Sequence, residues 1–262
     1  MEPLQAPEGE LVATHPATVY GSILAVLMMV LPGGALVALA IGKDADARVP
    51  AIAGGLTLLV LGILAVVQQA RSKMVLRADG AERWGLRGKV WALRWADMAE
   101  LRYRAVKMRV YHFIPAGTKI YLTLTDRNGK KRRVPSNMKG MDVLAERIAD
   151  QQTSARFAEA RAAVDRGEEV RFGKALVVDA EKLSARKLFG GYKSCPLSQI
   201  EKVAVESGFL RIRQRGRFLG FGGGSVGSIP NVFLFLRLLD SLLGRPTAIP
   251  QDRDFAGRAN VG

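Results

Sequence analysis

The apolar residues of this chain are gathered into two long runs near its start, and beyond them apolar and polar positions alternate. Residues 19–41 are 23 consecutive positions without a charge, and residues 49–67 are another 19, followed by Gln68 and Gln69. As helices these runs would extend roughly 34 Å and 28 Å, against a hydrocarbon core of about 30 Å, so both are expected to cross a membrane. Only residues 42–48, GKDADAR, separate them. So short a link predicts antiparallel neighbours, a transmembrane helical hairpin over 19–70 preceded by a tail over 1–18. Pro32-Gly33-Gly34 offers a kink, and Gly54, Gly55 and Gly62 offer close helix approach, although both residue types are common in membrane helices generally. A signal peptide cleaved after Ala38-Leu39-Ala40 is the competing account. It fits poorly, because residues 1–18 hold no Lys or Arg and the run is too long.

From Met74 the period becomes two. Ile120, Leu122 and Leu124 alternate with Tyr121, Thr123 and Thr125, and Asp126-Arg127-Asn128-Gly129 then supplies a turn before a returning strand over 130–134. Residues 89–94 and 101–106 read as further strands, with Trp84, Trp91 and Trp95 as core or sheet-surface aromatics. After Val134-Pro135-Ser136-Asn137 the period turns helical, with Met141, Leu144 and Ile148 on one face. Residues 151–167 are rich in Ala, Arg and Glu and lack Pro, which predicts a helical connector.

A similar order recurs from residue 168. Strands are expected over 172–179, 183–189, 202–206 and 209–213, then a helix over 232–243 after Ile229-Pro230-Asn231. Matches between the halves suggest an internal repeat: Asp79 with Asp179, Ala96-Asp97-Met98 with Ser198-Gln199-Ile200, and Val134-Pro135 with Ile229-Pro230. Nine of the last helix's twelve residues are apolar. Twelve is too short to span, which leaves a buried core helix or one that packs at an interface or in an oligomer. Residues 245–262 carry two Pro and no period and are expected to be disordered.

Charge sets the orientation. Residues 1–70 hold two Lys/Arg against five Asp/Glu, so of the chain's net +15 the remainder carries +18. Basic residues crowd directly behind the second apolar run, which predicts that both termini are cytoplasmic, at the cell membrane. Arg71, Lys73 and Arg77 follow that run; Lys130, Lys131, Arg132 and Arg133 form the densest basic cluster; Arg211, Arg213, Arg215 and Arg217 are its counterpart in the second half. These eleven residues are candidates for docking on anionic lipid headgroups or on an acidic protein partner. The competing reading is a solvated strand face that protects an edge. Nucleic acid is not expected, for no recognised binding motif is present.

Chemistry is sparse. One Cys (Cys195) and two His (His15, His112) exclude Cys/His zinc sites, and no paired acids or activated nucleophile occur at a recognisable spacing, so no enzyme, metal or cofactor is expected. Gly222-Gly223-Gly224-Ser225-Val226-Gly227 matches G-x-G-x-x-G literally, but a dinucleotide site needs a βαβ unit that the remaining chain is too short to provide. The glycines over 220–227 instead suggest a mobile loop, or a membrane-touching tip because Phe218, Leu219 and Phe221 flank them.

The two apolar runs, the strands ending in a helix, the Trp95-Ala96-Asp97-Met98 motif and the Ile229-Pro230-Asn231 motif resemble bacterial membrane proteins with pleckstrin-homology-like (PH-like) domains, an uncharacterised family. The resemblance covers residues 19–243, with Leu197-Ser198-Gln199 replacing the Trp motif in the second half. It implies an α+β membrane protein: a two-helix transmembrane hairpin followed by two tandem PH-like β-barrel or sandwich domains, over 71–150 and 168–244, each closed by a C-terminal helix. It implies binding or assembly and no reaction. The expected function is a non-enzymatic integral membrane protein presenting these domains for anionic lipid or a protein partner. The alternative is an oligomeric membrane scaffold assembled through the hairpin and the apolar last helix.

Overall fold

The computed structural model of the chain describes residues 7–18, 20–40, 45–110, 114–187, 190–206, 208–216 and 221–244. The chain divides into two compact units. One contains the described residues of Gln5–Ala92 with Asn137–Met141, the other Leu93–Ser136 with the described residues of Asp142–Gly262.

The first unit is built on a four-stranded antiparallel sheet in the order β1-β2-β3-β4: β1 (Leu11–Pro16), β2 (Lys73–Arg77), β3 (Gly80–Gly85) and β4 (Gly88–Arg94), whose last two residues belong to the other unit. Two helices, α1 (Tyr20–Ala40) and α2 (Ala45–Ala70), are inserted between β1 and β2. Because β1 pairs with β2 with Pro16 opposite Lys73, α1 leaves the sheet and α2 returns to it at the same end. Gln69 Nε2 donates to the Thr18 carbonyl there at 3.0 Å. Met74, Leu76 and Ala81 are fully buried on one sheet face. Asp79 holds the segment before β1, accepting from the Glu8 and Gly9 N–H groups at 2.8 and 2.7 Å. Burial pushes the Asp79 carboxyl up, and these main-chain bonds with nearby Arg77 outweigh it, so that it lies below its ordinary value.

The second unit carries three further antiparallel sheets among its described residues. β5 (Met98–Val110), β6 (Ile114–Asp126) and β7 (Lys131–Val134) form one; β8 (Val170–Phe172), β9 (Leu176–Val178), β10 (Lys182–Arg186) and β11 (Tyr192–Pro196) pair in the order β11-β10-β9-β8; β12 (Ile200–Glu206), β13 (Phe209–Gln214) and β14 (Gly222–Ser225) form the third. Its helices are α3 (Met141–Asp165), of which only Met141 belongs to the first unit, and α4 (Val232–Leu243). In α3 the connector expected over 151–167 is absorbed into one continuous 25-residue helix, since nothing in its Ala- and Arg-rich sequence breaks it. Six residues of α4 are buried, and Phe235 meets Phe172 edge to face at 5.2 Å. Tyr103 on β5 meets Phe233 in the same manner at 5.6 Å. Burial, with the Asp142 charge adding to it, pushes the Tyr103 phenol up to about 12.

The expected fold class is corrected on two counts. Among the described residues one helical stretch, Val49–Ala70, is long and apolar enough to cross a membrane, while the apolar stretch in α1 is Val30–Ala40. The described residues thus show one candidate span and not the expected two-span transmembrane hairpin. In place of two bent barrels each closed by a helix, the described residues form four helices and four small antiparallel sheets in a mixed α/β arrangement. The strands explain why. β8 and β9 have three residues each and β14 is Gly-Gly-Gly-Ser, too short and too poor in side chains to close a barrel. The residues matched between the halves also do different work. Asp79 holds the segment ahead of β1, whereas Asp179 accepts from Glu181 and Lys182 N–H groups in its own turn.

Candidate membrane and lipid interface

The helix Val49–Ala70 rises roughly 33 Å, matching a hydrocarbon core, and only 11% of its most apolar window is buried within the fold. Leu56, Val60, Leu61 and Ile63 are each more than half exposed. The described residues leave this apolar helix largely uncovered, as a membrane-crossing helix would be. The chain then passes through Arg71 and Ser72 into Lys73, the first residue of β2, so basic residues stand at the end of the helix without an intervening linker.

The expected docking residues fall into three groups. In the first unit Arg71 and Lys73 are exposed. Arg77 is engaged, donating from Nη1 to the Gly9 carbonyl at 3.0 Å and lying 3.7 Å from Glu82. On the β6–β7 pair, register places Lys131 opposite Thr125, Arg132 opposite Leu124 and Arg133 opposite Thr123. Lys130, Lys131 and Arg133 are exposed, but Arg132 turns to the buried side and donates from Nη2 to Asp126 Oδ2 at 3.1 Å. The Asp126 side chain is completely buried and its Oδ1 also accepts from the Asn128 and Lys130 N–H groups, so Arg132 completes the turn and is not available to a partner. On β13, Arg211 and Arg213 point outward between buried Leu210 and Ile212, and Arg211 lies 3.4 Å from Glu206. Arg215 is exposed in the following turn; Arg217, like His112, Phe218, Leu219 and Gly220, lies outside the described residues.

One cluster was not anticipated. Trp84 on β3 stands directly opposite Lys73 on β2, and the ammonium groups of Lys73 and Lys89 both lie 5.6 Å from the centre of its ring. The indole Nε1 donates to Glu82 Oε2 at 3.0 Å, and Lys89 Nζ lies 2.8 Å from Glu82 Oε1. Glu82 is 1% exposed. Burial pushes its carboxyl up, but the bonds from Lys89 and Trp84 and the charges of Lys89 and Arg77 outweigh that and hold it below its ordinary value. The sequence signal was the run of basic and aromatic residues over 83–89, RWGLRGK, directly after the apolar helix in the fold though not in the chain.

A cleft of about 380 Å³ in the second unit is lined in part by Glu100, Arg156, Glu169, Arg171, Phe172 and Asn231. Several of its charged groups already have partners: Arg156 Nη1 donates to the Ala99 carbonyl at 2.6 Å, and Arg171 pairs with Glu169 at 3.0 Å. Among the described residues no group of His, Cys, Asp and Glu is placed to hold a metal ion, and Cys195 is buried.

A family profile matches residues 9–246, from the segment before β1 to just beyond α4. The chain belongs to DUF6585, a family of unknown function. No curated protein matches this DUF6585 member. The family assignment carries neither a reaction nor a ligand, so the chemistry of this DUF6585 protein rests on its own residues.

Proposed function

We propose that this is a non-enzymatic membrane protein whose apolar helix Val49–Ala70 embeds in the bilayer and whose basic strands engage anionic lipid. The observation that carries the proposal is the direct passage of that exposed apolar helix into Arg71 and Lys73. Positive charge following Ala70 favours the cytoplasmic side for the sheet that begins there. Lys130, Lys131 and Arg133 on one strand pair, and Arg213 and Arg215 at the end of β13 and in the turn after it, supply exposed charge without an ion pair to a carboxylate among the described residues, whereas Arg77 and Arg132 are structural. Each exposed Lys or Arg near an anionic surface contributes about 1 kcal/mol. Assembly through α4 is less well supported, because the apolar face of α4 is already buried within its own unit.

The test uses the full chain. Alkaline carbonate should leave it in the membrane pellet. In phosphatidylcholine nanodiscs it should be captured by phosphatidylglycerol vesicles at low salt and released at high salt, and a triple Lys130→Gln, Lys131→Gln, Arg133→Gln variant should be captured poorly. Extraction by carbonate, or capture indifferent to vesicle charge, overturns the reading.

A further inference from the structure

Residues Pro16, Lys73 and Trp84 stand in register across β1, β2 and β3, and Lys89 of β4 reaches the same Trp84 ring. This row is the last of the sheet at the end where α1 departs and α2 returns. Lys73 follows Ala70 by three residues, so its Cα lies within about 10 Å of the helix end. The polar zone on each side of a bilayer is about 5–7 Å deep, so a helix ending at the hydrocarbon boundary brings the row within reach of the phosphates. β3 runs toward that same end, for Arg77 opposes Gly80 at the far side and Lys73 opposes Trp84 at the near side. The turn beyond Trp84, Gly85-Leu86-Arg87-Gly88, therefore continues past the row in the direction from which the helices come, by roughly 3.3 Å per residue. Leu86 at this tip is 37% exposed and Val90 55% exposed.

We propose that the Lys73–Trp84–Lys89 row, with the Leu86–Arg87 tip beyond it, is a docking site for the headgroup of an anionic phospholipid in the same membrane that holds α2. The proposal rests on the membrane reading above and names a site for it. Charge complementarity supports an anionic occupant: Arg71, Lys73, Arg87 and Lys89 face this end against one carboxylate, Glu82, and Lys73 has no ion pair among the described residues. The indole is held by Glu82 with its ring beside both ammonium groups, which fixes two long, otherwise mobile side chains where the phosphate arrives. Tryptophan and lysine both suit a headgroup layer, the one with an apolar body and a polar tip, the other with an apolar stem beneath its charge. Leu86 is placed to enter the acyl boundary beneath them.

The full chain is reconstituted in phosphatidylcholine vesicles with increasing phosphatidylglycerol brominated near the glycerol end of its acyl chains. Trp84 emission is read as the difference between the chain and its Trp84→Phe variant. Quenching should saturate at a low phosphatidylglycerol fraction, and Lys73→Gln should raise the half-saturating fraction about fivefold. Leu86→Ser, at an exposed position, should reduce quenching without altering the thermal transition, and Lys202→Gln, at an exposed position on β12 outside the proposed binding residues, should leave half-saturation unchanged. A Trp84 emission insensitive to brominated phosphatidylglycerol, or quenching that Lys73→Gln does not shift, overturns the site. If the chain resists carbonate while Trp84 is silent, the site alone fails; if carbonate extracts the chain, the membrane reading fails with it.

Discussion

Asn231 and Leu101 are joined by two hydrogen bonds, the Asn231 N–H donating to the Leu101 carbonyl at 2.8 Å and the Leu101 N–H donating to Asn231 Oδ1 at 2.7 Å. Asn231 Nδ2 also donates to the Ala99 carbonyl at 2.9 Å. A single residue thereby takes the place of a strand along the edge of β5, and it does so at φ 54°, where asparagine is among the few side chains tolerated. It is also the residue that precedes α4, so the start of that helix is tied to β5 of the same unit.

Substitution separates the two roles. Asn231→Gly keeps the left-handed backbone but leaves the buried Leu101 N–H without its acceptor, for an expected loss of about 1–3 kcal/mol. Asn231→Ala should cost about 1 kcal/mol more from backbone strain. Chemical denaturation followed by far-ultraviolet circular dichroism measures both, and equal stability of the two variants would contradict the strain.

Arg132 and its neighbours Lys131 and Arg133 should respond in opposite ways. Asp126→Ala strands the Arg132 guanidinium and three hydrogen bonds, and should lower stability by about 3–5 kcal/mol. Lys131→Gln and Arg133→Gln should change stability by less than about 0.5 kcal/mol while weakening capture by anionic vesicles. Denaturation and vesicle capture on the same variants check the division; a loss of stability in Lys131→Gln would contradict it.

The basic run over 130–133 shows where sequence patterning reaches and where it stops. The alternation over 120–124 locates a half-buried strand, and the period at Met141, Leu144 and Ile148 locates α3, because a two-residue and a 3.6-residue period are both written in apolar spacing. Four consecutive cations carry no such period, and only the register that sets Arg132 opposite Leu124 shows that one of them faces Asp126. β14 escaped because glycine has no side chain to alternate, and β1 because Leu11–Pro16 pairs with a strand more than fifty residues away. The row at Trp84 needed the β2–β3 register, which sets Lys73 opposite Trp84.

Glu82 makes stability depend on pH in a defined sense. Its carboxyl lies below its ordinary value, so the stabilisation it provides is fully present above the ordinary value of 4.5 and is lost as pH falls through the lowered one. The chain should therefore lose thermal stability in acid. Glu82→Gln should lower the melting temperature at neutral pH and flatten this acid limb, since no carboxylate is left there to protonate. Melting curves of both proteins across the acidic range measure it, and parallel limbs would contradict the assignment.

Gly33 and Gly55 bring α1 and α2 together so closely that a methyl group fits at neither. A Cβ on Gly55 would lie 2.7 Å from the Gly33 carbonyl oxygen and 2.5 Å from Val37 Cγ2, and one on Gly33 would lie 3.0 Å from the Gly55 carbonyl oxygen. Two of the three obstacles are main-chain atoms, which cannot rotate aside, so the helices themselves must separate. Gly55→Ala is expected to destabilise the pair by about 1–3 kcal/mol. Gly54, one position earlier on the same helix, has nothing within 4 Å of its Cβ position. Gly54→Ala should therefore be neutral, or stabilising by up to about 1 kcal/mol through helix propensity alone. Melting temperatures of the two variants in the same detergent read the difference directly: a common shift would mean that helix propensity governs both sites, whereas opposite shifts require the contact between Gly33 and Gly55.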